Sequence, residues 1–205
     1  MNFGLALALK LVIDHNAGAA ATPAFRFEHV ASPAKTAAKV AVVAGTPDRG
    51  SADVSALADG LTPTVEDEPG ANLFFAANTW GGRIRFDLGE VKDVTEIRSY
   101  SWHPDSRAPQ VYYVYGSDGT SPTFDPAPGT KKDVASCGWR QIAFVDTRPK
   151  GGDADSNIGG QYAVSITDTT GPLGRYRYLL FDVFESESDD VWGNTFYSEI
   201  NVVSK

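Results

Sequence analysis

Cysteine is nearly absent from this 205-residue chain, with Cys137 standing alone. A single thiol cannot close an internal disulfide, so no disulfide framework organises the fold, and cysteine usage does not fix the compartment. A chain of this length buries a substantial core without such staples. Histidine is scarce as well: His15, His29 and His103 are the whole supply. No HExxH pair, P-loop or dinucleotide fingerprint occurs, and neither Cys137 nor His103 is flanked by a nucleophile motif. With 26 acids in the chain, no particular carboxylate pair marks a glycosidase. Catalysis therefore has little support, and an esterase or glycosidase stands last among the functional readings. Cation is also short, 18 Lys and Arg against 26 Asp and Glu, for a net charge of −8. Binding a phosphate backbone needs clustered cation, which argues against nucleic acid and leaves neutral sugars, cations and basic surfaces as partners.

Long apolar runs are missing too, so no membrane span is expected. The best of them, residues 3–13 (FGLALALKLVI), is too short to cross a bilayer. It has two readings. Followed by the small residues Ala17, Gly18 and Ala19, it resembles a signal-peptide core with its cleavage site, which implies an extracellular or periplasmic location. Against that, no Lys or Arg precedes it, and Lys10 and Asp14 interrupt it. The other reading is a strand or helix packed on the domain.

What the chain does have is strands and turns. With 42% hydrophobic residues, 20 Gly and 12 Pro, it suits a β protein better than a helical one. The organising stretch is residues 83–120. Three β-like runs, 83–88, 94–102 and 110–116, are separated by a Gly89-Glu90 turn and a Pro-bearing loop, His-Pro-Asp-Ser-Arg-Ala-Pro. Ile84, Phe86 and Leu88 alternate with Arg83, Arg85 and Asp87, the period of a half-buried strand. In the second run Val94, Glu96 and Arg98 oppose Thr95, Ile97 and Ser99. Aromatics crowd its exit at Tyr100, Trp102, Tyr112, Tyr113 and Tyr115.

Elsewhere, residues 24–30, 39–43, 139–145, 161–167, 175–185 and 196–203 read as β-prone, and residues 51–61 carry the character of a helical turn. In 175–185, Tyr176, Tyr178, Leu180 and Asp182 share one face and Leu179, Phe181 and Val183 the other, so both faces are expected to be covered. Residues 16–23 read as a linker, which divides the chain into an N-terminal segment or appended strand, 1–31, and a main domain, 32–205. Eight to ten strands with long loops and almost no helical periodicity predict an all-β, antiparallel β-sandwich of jelly-roll kind.

An ordered set of phrases runs through the main domain. It comprises Ala58-Asp59-Gly60 with Thr64, Asn78-Thr79-Trp80, Phe86-Asp87-Leu88-Gly89, and the strand ending Tyr115-Gly116-Ser117-Asp118-Gly119. Trp139, the 175–183 strand and Ser198-Glu199-Ile200-Asn201-Val202 complete it. In this order they resemble the galactose-binding-like β-sandwich, in particular the discoidin (coagulation factor 5/8 type C) domains and family 32 carbohydrate-binding modules. The likeness covers about residues 32–203. The chain is also similar to a set of secreted-type proteins of planctomycete-like bacteria with no assigned activity. It shares with them phrases such as Tyr100-Ser101-Trp102-His103-Pro104 and Gly193-Asn194-Thr195-Phe196-Tyr197. Two loops, 62–78 and 119–139, are longer than the family spacing.

The resemblance implies a structural Ca²⁺ that pins the Asp-Gly loop to the last strand, with Asp59, Thr64 and Glu199 supplying oxygens of the kind a hard cation takes. Without an ion, Asp59 simply makes a turn with Gly60 and Glu199 faces solvent. The acidic run 185–190 (ESESDD) is a second candidate for a cation, or a solvated loop. The resemblance also implies a non-catalytic role in binding a glycan or polysaccharide through the loop-rich end. Stacking rings and fixed hydrogen-bonding groups are what a sugar needs. The candidates are Trp102, His103 and Arg107 in one loop and Trp192, Asn194 and Phe196 in another. Singly, Trp102 and Phe196 also read as core and His103 as a turn cap before Pro104. The alternative function is a protein–protein adhesion or assembly module using the same loops.

Overall fold

The structure, a computed structural model, describes residues 8–149, 158–187 and 191–205. Eight strands carry the fold: β1 (Leu9–Asn16), β2 (Lys39–Ala44), β3 (Gly82–His103), β4 (Val111–Ser117), β5 (Arg140–Asp146), β6 (Gly160–Asp168), β7 (Gly174–Val183) and β8 (Tyr197–Ser204). Every pairing is antiparallel. Among the described residues the only helical pieces are single 3₁₀ turns, and no helix is long and apolar enough to cross a membrane.

The 22-residue β3 joins the two leaves of the sandwich. Its first half lies between β2 and β7; β4 and β5 extend that leaf beyond β7. Its second half lies between β6 and β8, with β1 outside β6. The Gly89-Glu90 step, expected to be a turn, is instead an irregularity inside one strand, where the register against β7 shifts between Asp87 and Lys92. Gly89 sits at φ +83°, a left-handed conformation that glycine adopts without steric cost. The Asp87 carboxylate accepts its N–H at 2.9 Å. The strand bends there and changes leaf rather than reversing, as bulged strands do.

A second shift against β8, between Val94 and Glu96, breaks the simple alternation. Val94 and Ile97, which strict period two places on opposite faces, both enter the main core. From Ile97 onward the alternation is regular. Ile97 and Ser99 face between the leaves, Ser99 bonding Gln110 at 2.5 Å and Tyr112 at 2.8 Å. Tyr100 and Trp102 face outward.

The main core fills the space between the leaves with residues such as Phe86, Ile97, Tyr112, Val164, Phe181 and Ile200. Each fully buried side chain of this size contributes about 1.5–3 kcal/mol. Both outer faces are covered as well. Leu180 turns away from Leu179 and Phe181 and packs with Val134, Cys137 and Trp139 from the long segment after β4. Arg83 fastens that segment by donating to Gly129 O at 2.7 Å while it pairs with Asp182 at 3.0 Å.

Residues 24–30, expected to be β-prone, form no strand. They cover the outer face of the second leaf, with Phe25 and Val30 packed on Tyr100, Trp102 and Ala163. Asp14 of β1 holds the cover in place by accepting from His29 N, His29 Nδ1 and Val30 N at 2.7–2.8 Å. Burial alone would raise the Asp14 carboxyl, but these hydrogen bonds outweigh it and hold the group below the usual range.

Candidate functional site

The inward positions of β3 lead to the loop-rich end of the sandwich. Ser101 Oγ donates to Ala108 O at 2.5 Å, and two residues on, in the same phase, His103 reaches the mouth. The loop that follows is held from several sides. Thr195 Oγ1 donates to Pro109 O at 2.5 Å, Ser186 Oγ to Ser106 O at 2.6 Å, and Phe196 N to Arg107 O at 3.0 Å. Main-chain groups fastened this way give a rigid platform, as a binding loop needs.

A cavity of about 490 Å³ opens here, lined by Asp48, Gly50, Asp67, Pro69, Phe74, His103, Asp105, Arg107, Trp192 and Phe196. Its apolar wall is the stacked pair Phe74 and Phe196, with ring centroids 4.1 Å apart and planes at 15°. The Arg107 guanidinium lies over both rings, 4.0 Å from the Phe196 centroid and 4.7 Å from Phe74. Its Nε donates to Asn194 O at 3.1 Å. Trp192, half exposed, forms another side. His103 is buried, with Nδ1 2.7 Å from Asp105 Oδ1. Burial, opposed by Asp105 and helped by Arg107, holds its pKa below the ordinary imidazole value, so the ring is neutral at pH 7.

Of the six residues expected to bind ligand, four meet at this cavity: His103, Arg107, Trp192 and Phe196. Trp102 does not. One residue before His103 on a strand, it points to the opposite face and packs edge-on against Phe25 in the covered outer cluster. Asn194 is buried and structural, its amide donating to Ala76 O at 3.1 Å and Thr79 O at 3.2 Å, which ties the Trp192 loop to the one before β3. Phe74 and the three carboxylates of Asp48, Asp67 and Asp105 were not singled out from the sequence. Asp105 lies inside the loop that was, and Asp67 inside the 62–78 loop, which stood out only by its length. Nothing in the local pattern marks Asp48 or Phe74.

The corner expected to hold calcium lies on β8. Glu199 is fully buried, accepting from Gly60 N at 3.0 Å and from Asn201 Nδ2 at 2.9 Å. Burial pushes its carboxyl up to about 8; the Gly60 hydrogen bond opposes this and the negative Asp59 nearby adds to it. Asp59 also accepts from Leu61 N at 2.7 Å. Thr64 belongs to a different contact: its N–H and hydroxyl both donate to Glu68, at 2.6 and 3.1 Å. Among the described residues no three acidic, His or Cys side chains gather closely enough to hold a metal by themselves. The donor set suits a hard cation only if main-chain oxygens complete it. For the second acidic run, residues 188–190 lie outside the described residues.

No known family profile matches the chain, and no curated relative does. Solved structures do. A family 32 carbohydrate-binding module of a family 31 glycoside hydrolase, bound to GalNAc, matches with a TM-score of 0.52 and 12% identity, over 84% of this chain and all of that one. A second such module, from Clostridium perfringens, gives a TM-score of 0.48 and 18% identity over 83% of this chain and 96% of its own. A third, from the NanJ protein of the same organism in complex with galactose, gives 0.46 and 12% over 80% and 92%. The first of these likenesses establishes the fold, an antiparallel β-sandwich of that type, and at such identity the fold alone.

Proposed function

We propose that this chain is a non-catalytic carbohydrate-binding module that takes a glycan in the His103 cavity. The observation that carries the reading is the make-up of that cavity. The half-exposed Trp192 ring, with the buried pair Phe74 and Phe196 as a second apolar side, lies beside a set of polar groups on His103, Arg107 and the three aspartates. A sugar ring offers an apolar C–H face and a rim of hydroxyls, and this pairing of surfaces suits both. The shared fold with a module bound to GalNAc supports it. A glycan array, followed by calorimetry on galactose, fucose and polyanionic algal sugars, tests the proposal. Binding weakened by His103→Ala is expected, and silence across all of them refutes it.

A structural Ca²⁺ beside Asp59 and Glu199 is part of the proposal. A fully buried carboxylate with a second acid next to it favours a cation there. The N–H and hydroxyl proton of Thr64 go to Glu68, so its share in that set is through its oxygens alone. A thermal melt with and without EDTA, then with Ca²⁺ added back, tests this point, since a ligand of the folded state raises the midpoint. An extracellular or periplasmic location belongs to the same reading.

A protein-assembly role is favoured by a different surface. Trp80 is 79% exposed and lies beside Tyr113, Phe144 and Phe184 in a shallow apolar cavity of about 310 Å³. Light scattering that shows a stable oligomer, lost in Trp80→Ala, supports that role.

A further inference from the structure

The His103 cavity is rich in acceptors and poor in donors. Three carboxylates line it, those of Asp48, Asp67 and Asp105, against one guanidinium, that of Arg107. With a neutral imidazole, three negative charges less one positive leave the lining at −2. The one cation is already engaged, donating to Asn194 O and stacked on two phenylalanine rings. Two of the three carboxylates are far less occupied. Asp67 has no hydrogen-bond or ion-pair partner among the described residues, and Asp48 uses one oxygen, accepting Gly50 N at 2.8 Å.

A second observation comes from the imidazole. His103 is only 6% exposed and lines the cavity. The Asp105 N–H lies 3.2 Å from Nδ1 and the Asp105 Oδ1 lies 2.7 Å from it. Two lone pairs at the shorter distance would repel, so Nδ1 carries the hydrogen and gives it to the carboxylate. Nε2 is then left with a lone pair, and it has no partner among the described residues. Nε2 is not among the fully buried unpartnered atoms, so it is open to the cavity, where a donor on a ligand can take the place of water.

Resting on the carbohydrate-binding reading, we infer that this cavity selects a glycan carrying a protonated primary amine, a hexosamine with its amino group free, over the N-acetylated, neutral and acidic sugars. An ammonium has three donors and no acceptor, which complements a lining of carboxylates and an imidazole lone pair. A uronate or sulfated sugar would place acceptor against acceptor, with Arg107 as the only compensating charge. The exposed Trp192 ring serves every sugar alike and so sets affinity in general, while the acids set the choice.

Calorimetry on matched series in both the galacto and gluco configurations tests this: free amine, N-acetyl amine, parent hexose and hexuronic acid, at pH 6.5, in low and physiological salt. The expected result is an advantage of about tenfold for the free amine over its N-acetyl counterpart, as charge-assisted hydrogen bonds give. That advantage shrinks with salt, and the uronic acid binds weakest. Asp67→Asn and Asp48→Asn each move the amine-to-N-acetyl ratio toward one, and unchanged melting midpoints show that both variants fold. Binding of neutral or N-acetyl sugars equal to or tighter than that of the amine overturns the selectivity and leaves the carbohydrate-binding reading standing. Binding of no sugar in either series overturns both.

Discussion

Two places in the molecule gather carboxylates, and they do opposite things with them. At the Glu199 corner the carboxylate is fully buried, both its oxygens accept hydrogen bonds from the fold, and its pKa is pushed up to about 8. At the His103 cavity Asp67 and Asp105 are exposed and Asp48 is half-buried, and together they leave acceptors without donors. The same side-chain chemistry thus ties chain to chain in one place and stands open to solvent in the other. Solvation and satisfaction of hydrogen bonds make the difference, since a buried acceptor must be bonded by the fold whereas a wetted one is free to exchange water for a ligand.

The comparison is broken most severely by Glu199→Ala. Removing that carboxylate strands the Gly60 N–H, takes one acceptor from the Asn201 amide and opens a hole, at a cost of about 2–4 kcal/mol and a fall in melting midpoint of roughly 5–15 °C. Sugar affinity measured well below the midpoint is expected to stay unchanged. A loss of affinity as large as the loss of stability contradicts the separation of the two places. Next in size, Arg107→Ala touches both properties, because Arg107 braces the aromatic wall as well as lining the cavity. It is expected to lower stability by about 1–2 kcal/mol and to abolish detectable binding by calorimetry.

Trp192→Ala sharpens the contrast from the other side. The ring is 53% exposed, so the midpoint should move by no more than about 2 °C, while affinity falls about tenfold, equivalent to ~1.4 kcal/mol. The smallest effect is that of pH. Burial keeps the folded-state pKa of His103 below the unfolded value of about 6.5. The unfolded chain therefore takes up its proton first as pH falls. The stability associated with a neutral His103 is complete above about pH 6.5 and is lost as pH drops through the folded value. Melting midpoints between pH 8 and pH 5 should decline less steeply in His103→Gln than in the parent chain.

Much of the β architecture was legible because its strands alternate or run apolar between turn residues, as in β4, β6, β7 and β8. The covered outer face of β7 was legible from Leu180 opposing Leu179 and Phe181. The continuity of β3 was not. A glycine at positive φ serves a hairpin turn and a bulge equally well, and only the pairing of β7 across Asp87 and Lys92 distinguishes them. The placement of Trp102 was not legible either. Trp102 and His103 are adjacent aromatic residues at a strand exit, and the strand's phase decides which of them faces the cavity. That phase is set by register shifts in β3 that pairing alone reveals.

His103, Arg107, Trp192 and Phe196 could be assembled from two loops because each loop carries its pair within a few residues. Asp48, Asp67 and Phe74 come from the long connection between β2 and β3. They are brought to the cavity by contacts distant in sequence: Phe74 stacks on Phe196, Leu73 bridges to Tyr197, and Asp48 N donates to Phe74 O. That the Asp59-Gly60 turn meets Glu199 was expected from the resemblance, but local spacing could not show that Thr64 donates to Glu68.

The four tryptophans offer the most direct measurement. Trp102 and Trp139 are buried in the outer clusters, Trp80 stands on the apolar shelf, and Trp192 lines the cavity. Indole N–H resonances, assigned with single Trp→Phe variants and followed by NMR during titration with the best glycan of the array, report on each place separately. Glycan binding at the His103 cavity predicts a saturable shift of the Trp192 signal, with Trp80, Trp102 and Trp139 still. A saturable shift confined to Trp80, or none at any ligand concentration, contradicts it.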